Sequence, residues 1–247
     1  VITLSDNTTL TVENDKIMAG CMSIDDAVSE DGKFTALGST IIGSATLILY
    51  NNDDIFSDYV FENANVVLYT GLIVPYGTSV IPDYVKLGTY TVDNATYNNA
   101  SITLTLLDYM EQFDRPYNTS DPQNPKLQYP ATIMQIVSDC CTKCGVTLAT
   151  ETSLGFLHDD LVISSRPTDD AITFRNVLAW CATIAGCFAR CNNDGELELK
   201  WFTSDNSTVL KIDGGSFDSS SPYATGDTVE GGSFNPWSDG DDIDGGS

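Results

Sequence analysis

The sequence predicts an α+β protein: an antiparallel β-barrel or sandwich domain, followed by a small two-helix α/β domain and an acidic Gly/Ser-rich tail. Three observations point there. Residues before about 116 fall into short runs of β-forming residues separated by turn residues. Two later stretches place apolar residues at helical spacing. An Asn193-Asp194-Gly195 turn then separates two more short runs, a strong hairpin signal.

The first region, residues 1–116, holds strand-like runs at 10–13, 16–24, 40–50, 65–74, 85–92 and 101–106. The last is the clearest. Ile102, Leu104 and Leu106 alternate with Ser101, Thr103 and Thr105, the period of two that turns one strand face to a core and the other to water. Asp31-Gly32 and Tyr76-Gly77 sit between runs as turns. Residues 117–130 read as a linker. Pro116, Pro122, Pro125 and Pro130 place four of the nine prolines within 15 residues, and proline has no N–H with which to continue either kind of ladder.

Residues 131–202 form the expected α/β unit. Ile133, Ile136, Val137, Cys140, Cys141 and Cys144 recur at helical spacing after Pro130, and Gly145 can take the left-handed position that ends a helix, so 131–144 reads as one. A second helix starts at a Thr173 cap, runs through Phe174, Val177, Leu178, Cys181, Ala182 and Ala185, and stops at Gly186. Runs at 187–191 and 196–202 flank the hairpin turn. Residues 203–247 carry nine acidic residues against Lys211 alone, with eight glycines and nine serines, too little apolar surface to bury much. They repeat a short motif: Asp213-Gly-Gly-Ser-Phe217, Glu230-Gly-Gly-Ser-Phe234 and Asp244-Gly-Gly-Ser247. A start at Val1 and a stop inside the third copy raise the expectation of a piece cut from a longer chain.

Charge excludes whole classes of partner. Eleven basic and 35 acidic residues give a formal charge of −24, which repels nucleic-acid phosphate and anionic membrane surfaces. No apolar run approaches the roughly 18–20 residues that cross a bilayer, so no stable membrane insertion is expected. The seven cysteines are odd in number, and six of them lie between Cys140 and Cys191, a pattern suited to a reducing cytoplasm rather than a disulfide framework.

Candidate chemistry is sparse. Cys140, Cys144, Cys187 and Cys191 suggest a four-cysteine zinc site, but Cys140, Cys141, Cys144 and Cys181 lie on apolar helical stripes, where free cysteine behaves as a small hydrophobe. The core reading is preferred. The single histidine, His158, precedes Asp159-Asp160 in a polar stretch and fits no triad pattern. A glycosidase pair among 35 carboxylates is decided by spatial separation, which sequence does not carry. Asp239, Asp241, Asp242 and Asp244 fail the EF-hand register, because Ile243 falls where a ligand belongs. Sequons at Asn7, Asn94, Asn99, Asn118 and Asn206 are chance matches in an Asn/Ser/Thr-rich chain. The expectation is therefore a non-enzyme with no catalytic, cofactor or metal residues, and with interface residues that sequence does not locate.

Two stretches carry a resemblance. Lys86-Leu-Gly-Thr-Tyr-Thr-Val92 with Ser101-Ile-Thr-Leu-Thr-Leu-Leu-Asp-Tyr-Met-Glu-Gln-Phe-Asp-Arg-Pro-Tyr117 resembles the end of the first barrel in bacteriophage tail-tip hub proteins. These are the N-terminal, baseplate-hub-like part of tail-associated proteins in phages and prophages of Gram-positive bacteria. Tyr129-Pro-Ala-Thr132, Cys144-Gly-Val-Thr-Leu148, Phe174-Arg-Asn-Val-Leu178, Gly186-Cys-Phe-Ala-Arg190 and Asp194-Gly-Glu-Leu-Glu-Leu199 are similar to the α/β domain that follows it. The likeness runs from about Met18 onward. It implies a virion structural protein of the tail, assembled in the host cytoplasm, in which a homotrimer with two barrels per subunit adapts a six-fold tail tube to a three-fold tip. The second barrel would follow residues 203–247. Implied partners are copies of itself, distal-tail and tail-tube proteins, and a tip fibre or spike, with DNA passing through unbound. The competing readings are a cell-wall hydrolase and a host-surface glycan-binding module.

Overall fold

The computed structural model describes residues 1–29, 36–52, 54–76, 79–118 and 125–201, with backbone alone for 72–76 and 79–83. Val1–Trp201 is one compact unit. The Asp31-Gly32 turn, the Gly77 position, the DGGS copies and the Asp239–Asp244 cluster lie outside the described residues.

The protein is α+β with a large antiparallel sheet, as the patterning predicts. Seven strands, β1 (Ile2–Thr3), β2 (Thr9–Leu10), β3 (Ile17–Asp25), β4 (Ser44–Tyr50), β5 (Asn65–Tyr76), β6 (Ser79–Asn98) and β7 (Ser101–Asp108), lie in the order β2-β1-β5-β6-β7-β4-β3. All their ladders are antiparallel. β2 and β3 are at opposite ends of that order, yet only residues 11–16 join them. Laid flat, six strand spacings would part the ends by about 29 Å. The seven steps from Leu10 to Ile17 reach at most about 25 Å fully extended. The sheet must therefore curl, and its inner face encloses a core of Ile2, Leu47, Leu49, Val66, Leu68, Val92, Ile102, Leu104 and Leu106.

The strand expectations fail where pairing, not pattern, decides. Residues 11–13 are no strand, β4 begins at Ser44 rather than 40, and β6 runs from Ser79 to Asn98, far beyond 85–92. A long partner extends β6: it pairs with β5 from Tyr76↔Ser79 to Asn65↔Thr91 and with β7 from Tyr90↔Asp108 to Asn98↔Ser101. β1 is too short to show a period.

After β7, a 3-10 helix (Tyr109–Asp114) leads toward β8 (Ala131–Thr132), α1 (Ile133–Cys144), α2 (Thr150–Ser153), β9 (Val162–Ile163), α3 (Phe174–Ile184), β10 (Phe188–Cys191) and β11 (Leu197–Lys200). Both longer helices open with a reciprocal capping box, Thr132 with Gln135 and Thr173 with Asn176. Gly145 takes the left-handed φ of 71° expected of it. Ala131 and Thr132, expected in the helix, instead pair with Ile163 and Val162, a long-range contact that local spacing does not reveal. β10 and β11 form the expected hairpin. A second apolar cluster joins Met110, Phe113 and Tyr117 to the buried faces of α1 and α3.

Arg166 ties Tyr117, Asn118 and Leu127 together beside this cluster. Its guanidinium lies 3.9 Å from the centre of the Tyr117 ring and donates to the Tyr117 carbonyl at 2.7 Å, Asn118 Oδ1 at 3.0 Å and the Leu127 carbonyl at 3.3 Å. A planar, five-donor group holds several carbonyls at once in a way that lysine does not.

Leu104→Ala is expected to destabilise the protein by about 2–5 kcal/mol, because the wholly buried side chain leaves a cavity in a rigid sheet core. Val85→Ala, on an exposed stretch of β6, should stay within about 0.5 kcal/mol. Urea unfolding of both variants checks the pair.

Candidate functional site

The helical cysteines cluster in space. α1 aligns Cys140, Cys141 and Cys144 on its inner face, and α3 faces them with Cys181; these and Cys187 are buried in the second cluster. Cys191 and Cys21 are partly buried, and all seven are free thiols. Burial pushes the thiols of Cys141, Cys144 and Cys181 up to about 12 and that of Cys187 to about 11, and it raises Cys140 and Cys191 well above the usual range. The thiolate is the form that binds metal or attacks an electrophile, so desolvation keeps these sulfurs inert. Among the described residues, no group of three or more His, Cys, Asp or Glu is arranged to hold a metal ion.

His158 lies exposed in a turn with a φ of 61°, its carbonyl accepting the Leu161 N–H at 3.1 Å.

The structure builds one polar site that sequence reading did not single out. It lies where the β10–β11 hairpin meets the sheet, around a cavity of about 40 Å³ lined by Asp26, Thr89, Tyr90, Asp108, Cys191 and Asn193 among others. Asp108, the last residue of β7, accepts the Met110 N–H at 3.0 Å and so caps the 3-10 helix. Burial raises its carboxyl to about 7, against the opposing pull of hydrogen bonds from the Gly43 and Met110 backbone, and the negative charges of Asp26 and Glu111 add to the rise. Tyr90 is likewise raised by burial and by Asp26 and Asp108.

The hairpin tip borders this pocket and is held to the sheet through side chains. Lys86 Nζ lies 2.8 Å from Asp194 Oδ1, Thr89 Oγ1 donates to the Asn193 carbonyl at 2.9 Å, and Asn193 Nδ2 donates to the Lys86 carbonyl at 3.3 Å. Gly195, at φ 79°, packs so close to Tyr109 that a Cβ there would come within 2.9 Å of the ring. Arg190 binds Glu198 at 2.6 Å and reaches Asp26 at 3.5 Å. The only sequence signal for Asp108 was its place at the end of an alternating strand, where an Asp caps a turn. Its burial depends on residues more than 60 positions away on either side.

No family model matches the chain, and no curated protein matches it. Among solved structures, the chain is similar to the crystal structure of the 43 kDa tail protein of prophage MuSo2 from Shewanella oneidensis, at 17% identity and a TM-score of 0.40. The match covers 65% of this chain and 47% of that one, so the chain spans about half the length of that protein.

Native protein at pH 7 is expected to react with few of its seven cysteines in a thiol titration, whereas denatured protein should approach seven. A chelator should leave the melting temperature unchanged. Rapid modification of most thiols in the folded state, or stoichiometric zinc, would contradict the core assignment.

Proposed function

We propose that the chain is a structural component of a phage tail tip or baseplate hub, which adapts a six-fold tail tube to a three-fold tip and lines the channel through which DNA leaves. The observation that carries this reading is the projecting part of the β5–β6 ribbon. β1 reaches β5 only at Asn65 and Val66, and β7 pairs with β6 only from Tyr90 onward. From Tyr69↔Lys86 to Tyr76↔Ser79 the ribbon has no strand on either flank among the described residues. Eight rungs extend roughly 25 Å, and an isolated two-stranded ribbon is marginal in water.

Tyr84 and Val85 on this ribbon are 66% and 60% exposed. Such an element has its open edges completed by neighbouring subunits, as β-augmentation does elsewhere. In the proposed ring, the curled sheet serves as the first barrel, and the neighbours are further copies of the chain in a homotrimer of the full-length form. Distal-tail and tube proteins adjoin it on one side and a fibre or spike on the other. The charge of −24 supports a channel role, since an acidic wall lets DNA slide without the counterion release that makes basic surfaces sticky. The resemblance of residues 86–117 and 129–199 to hub proteins supports the same assignment.

Antibodies against the chain are expected to label the distal end of the tail in intact virions. The purified chain should neither release muropeptides from Gram-positive cell wall nor be retained on it. Deleting residues 72–83 should leave the melting temperature within a few degrees of wild type yet abolish incorporation into particles. Wall hydrolysis abolished by one Asp or Glu substitution would replace this reading with the hydrolase, and wall retention would replace it with the glycan-binding module.

A further inference from the structure

We propose that the loop at residues 154–162 is a docking platform for a basic amphipathic helix of another protein. The helix would rest its apolar side chains on Leu154, Leu157 and Leu161 and set its Lys or Arg residues against Glu151, Asp159 and Asp160. The inference goes beyond the tail-tip reading and does not rest on it.

The loop holds large apolar side chains in water. Leu154, Leu157, Leu161 and Val162 are 84%, 63%, 45% and 57% exposed. One exposed leucine is ordinary, but four such side chains within nine consecutive residues make a patch of the kind that marks an interaction surface.

The backbone beneath them is fixed. The Leu161 and Asp159 carbonyls accept the Ile133 and Met134 N–H groups at 3.0 and 2.9 Å, the first two donors of α1, which the helix itself leaves unpaired. The N–H groups of Gly155, Asp159 and Leu161 close successive turns on the Thr152, Phe156 and His158 carbonyls, at 3.2, 3.2 and 3.1 Å. Val162 pairs with Thr132, and Phe156 packs against the second apolar cluster. Leu157 lies beside the end of α3, where a Cβ on Gly186 would stand 3.7 Å from its Cδ2. A surface ordered in advance loses little conformational entropy when a partner lands on it.

Charge selects the partner. Between Lys143 and Arg166 the chain has no Lys or Arg, but it has Glu151, Asp159 and Asp160. Among the described residues none of these three carboxylates pairs with a cation. Arg166 itself is turned to Tyr117, Asn118 and Leu127. An apolar patch with an anionic rim fits a partner with a cationic one, and it repels an anionic membrane surface. A second copy of the chain would bring a formal charge of −24 to it, with Lys86, Lys143, Arg175 and Arg190 already engaged within that copy. The backbone selects the partner's form: the carbonyls of Phe156, His158, Asp159 and Leu161 are all taken, so the loop offers side chains rather than a strand edge. A helix that lays its apolar face on those side chains is the mode that fits.

The test titrates the full chain with a short helical peptide of leucine and lysine, followed by calorimetry and by amide NMR shifts. Binding is expected to shift amides of residues 154–162 and to weaken when salt is raised to about 0.5 M. Leu154→Ser with Leu157→Ser should leave the melting temperature unchanged and weaken binding by about tenfold or more. Glu151→Gln with Asp160→Asn should weaken it less and flatten the salt dependence. A peptide with serine in place of leucine, or glutamate in place of lysine, should bind at least about tenfold more weakly. Equal binding of either control peptide, shifts spread over the acidic surface, or no effect of the leucine substitutions overturns the proposal. So does self-association of the chain that the leucine substitutions abolish, which makes the occupant a second copy. Co-sedimentation with phosphatidylglycerol/phosphatidylethanolamine vesicles that depends on the same leucines also overturns it, in favour of a lipid surface.

Discussion

Burying Ile102, Leu104 and Leu106 on one face of β7 commits the chain twice, because β7 pairs with β4 on one side and β6 on the other and then runs directly into the 3-10 helix of the second apolar cluster. The alternation that fills the sheet core therefore also sets where Met110, Phe113 and Tyr117 enter the helical core. A slip of one residue in β7 would turn its apolar set to solvent. It would also carry away the Asp108 cap that turns strand into helix.

Cations are scarce, and several of those described are structural. Eleven basic side chains serve 247 residues, and several of those described join segments remote in sequence. Arg175 grips Asp114 with two nitrogens, at 2.5 and 3.0 Å, and reaches the Thr40 carbonyl. Lys143 pairs with Asp139 and donates to the Pro125 carbonyl at 2.7 Å. Arg166 gathers the carbonyls of Tyr117 and Leu127, and Arg190 and Lys86 secure the hairpin against the sheet. Among the acidic groups left without such a cation, Asp108 has its carboxyl raised to about 7, by burial first and by the nearby charges of Asp26 and Glu111 second.

The sequence by itself determined the α+β class, the inner face of β7, the stops and caps of α1 and α3, the hairpin at Asn193-Asp194-Gly195 and the apolar setting of the helical cysteines. Each of these is written in neighbouring residues: a period of two or of 3.6, a capping threonine, a glycine at positive φ. Tertiary structure alone decided the length of β6, the pairing of Ala131 and Thr132 with Ile163 and Val162, the projecting ribbon and the cavity around Asp108. Strand length beyond the core depends on a partner far along the chain, and a carboxyl's proton affinity depends on which charges surround it and how little water reaches it. Both are sums over residues that only folding brings together, and local spacing carries no trace of them.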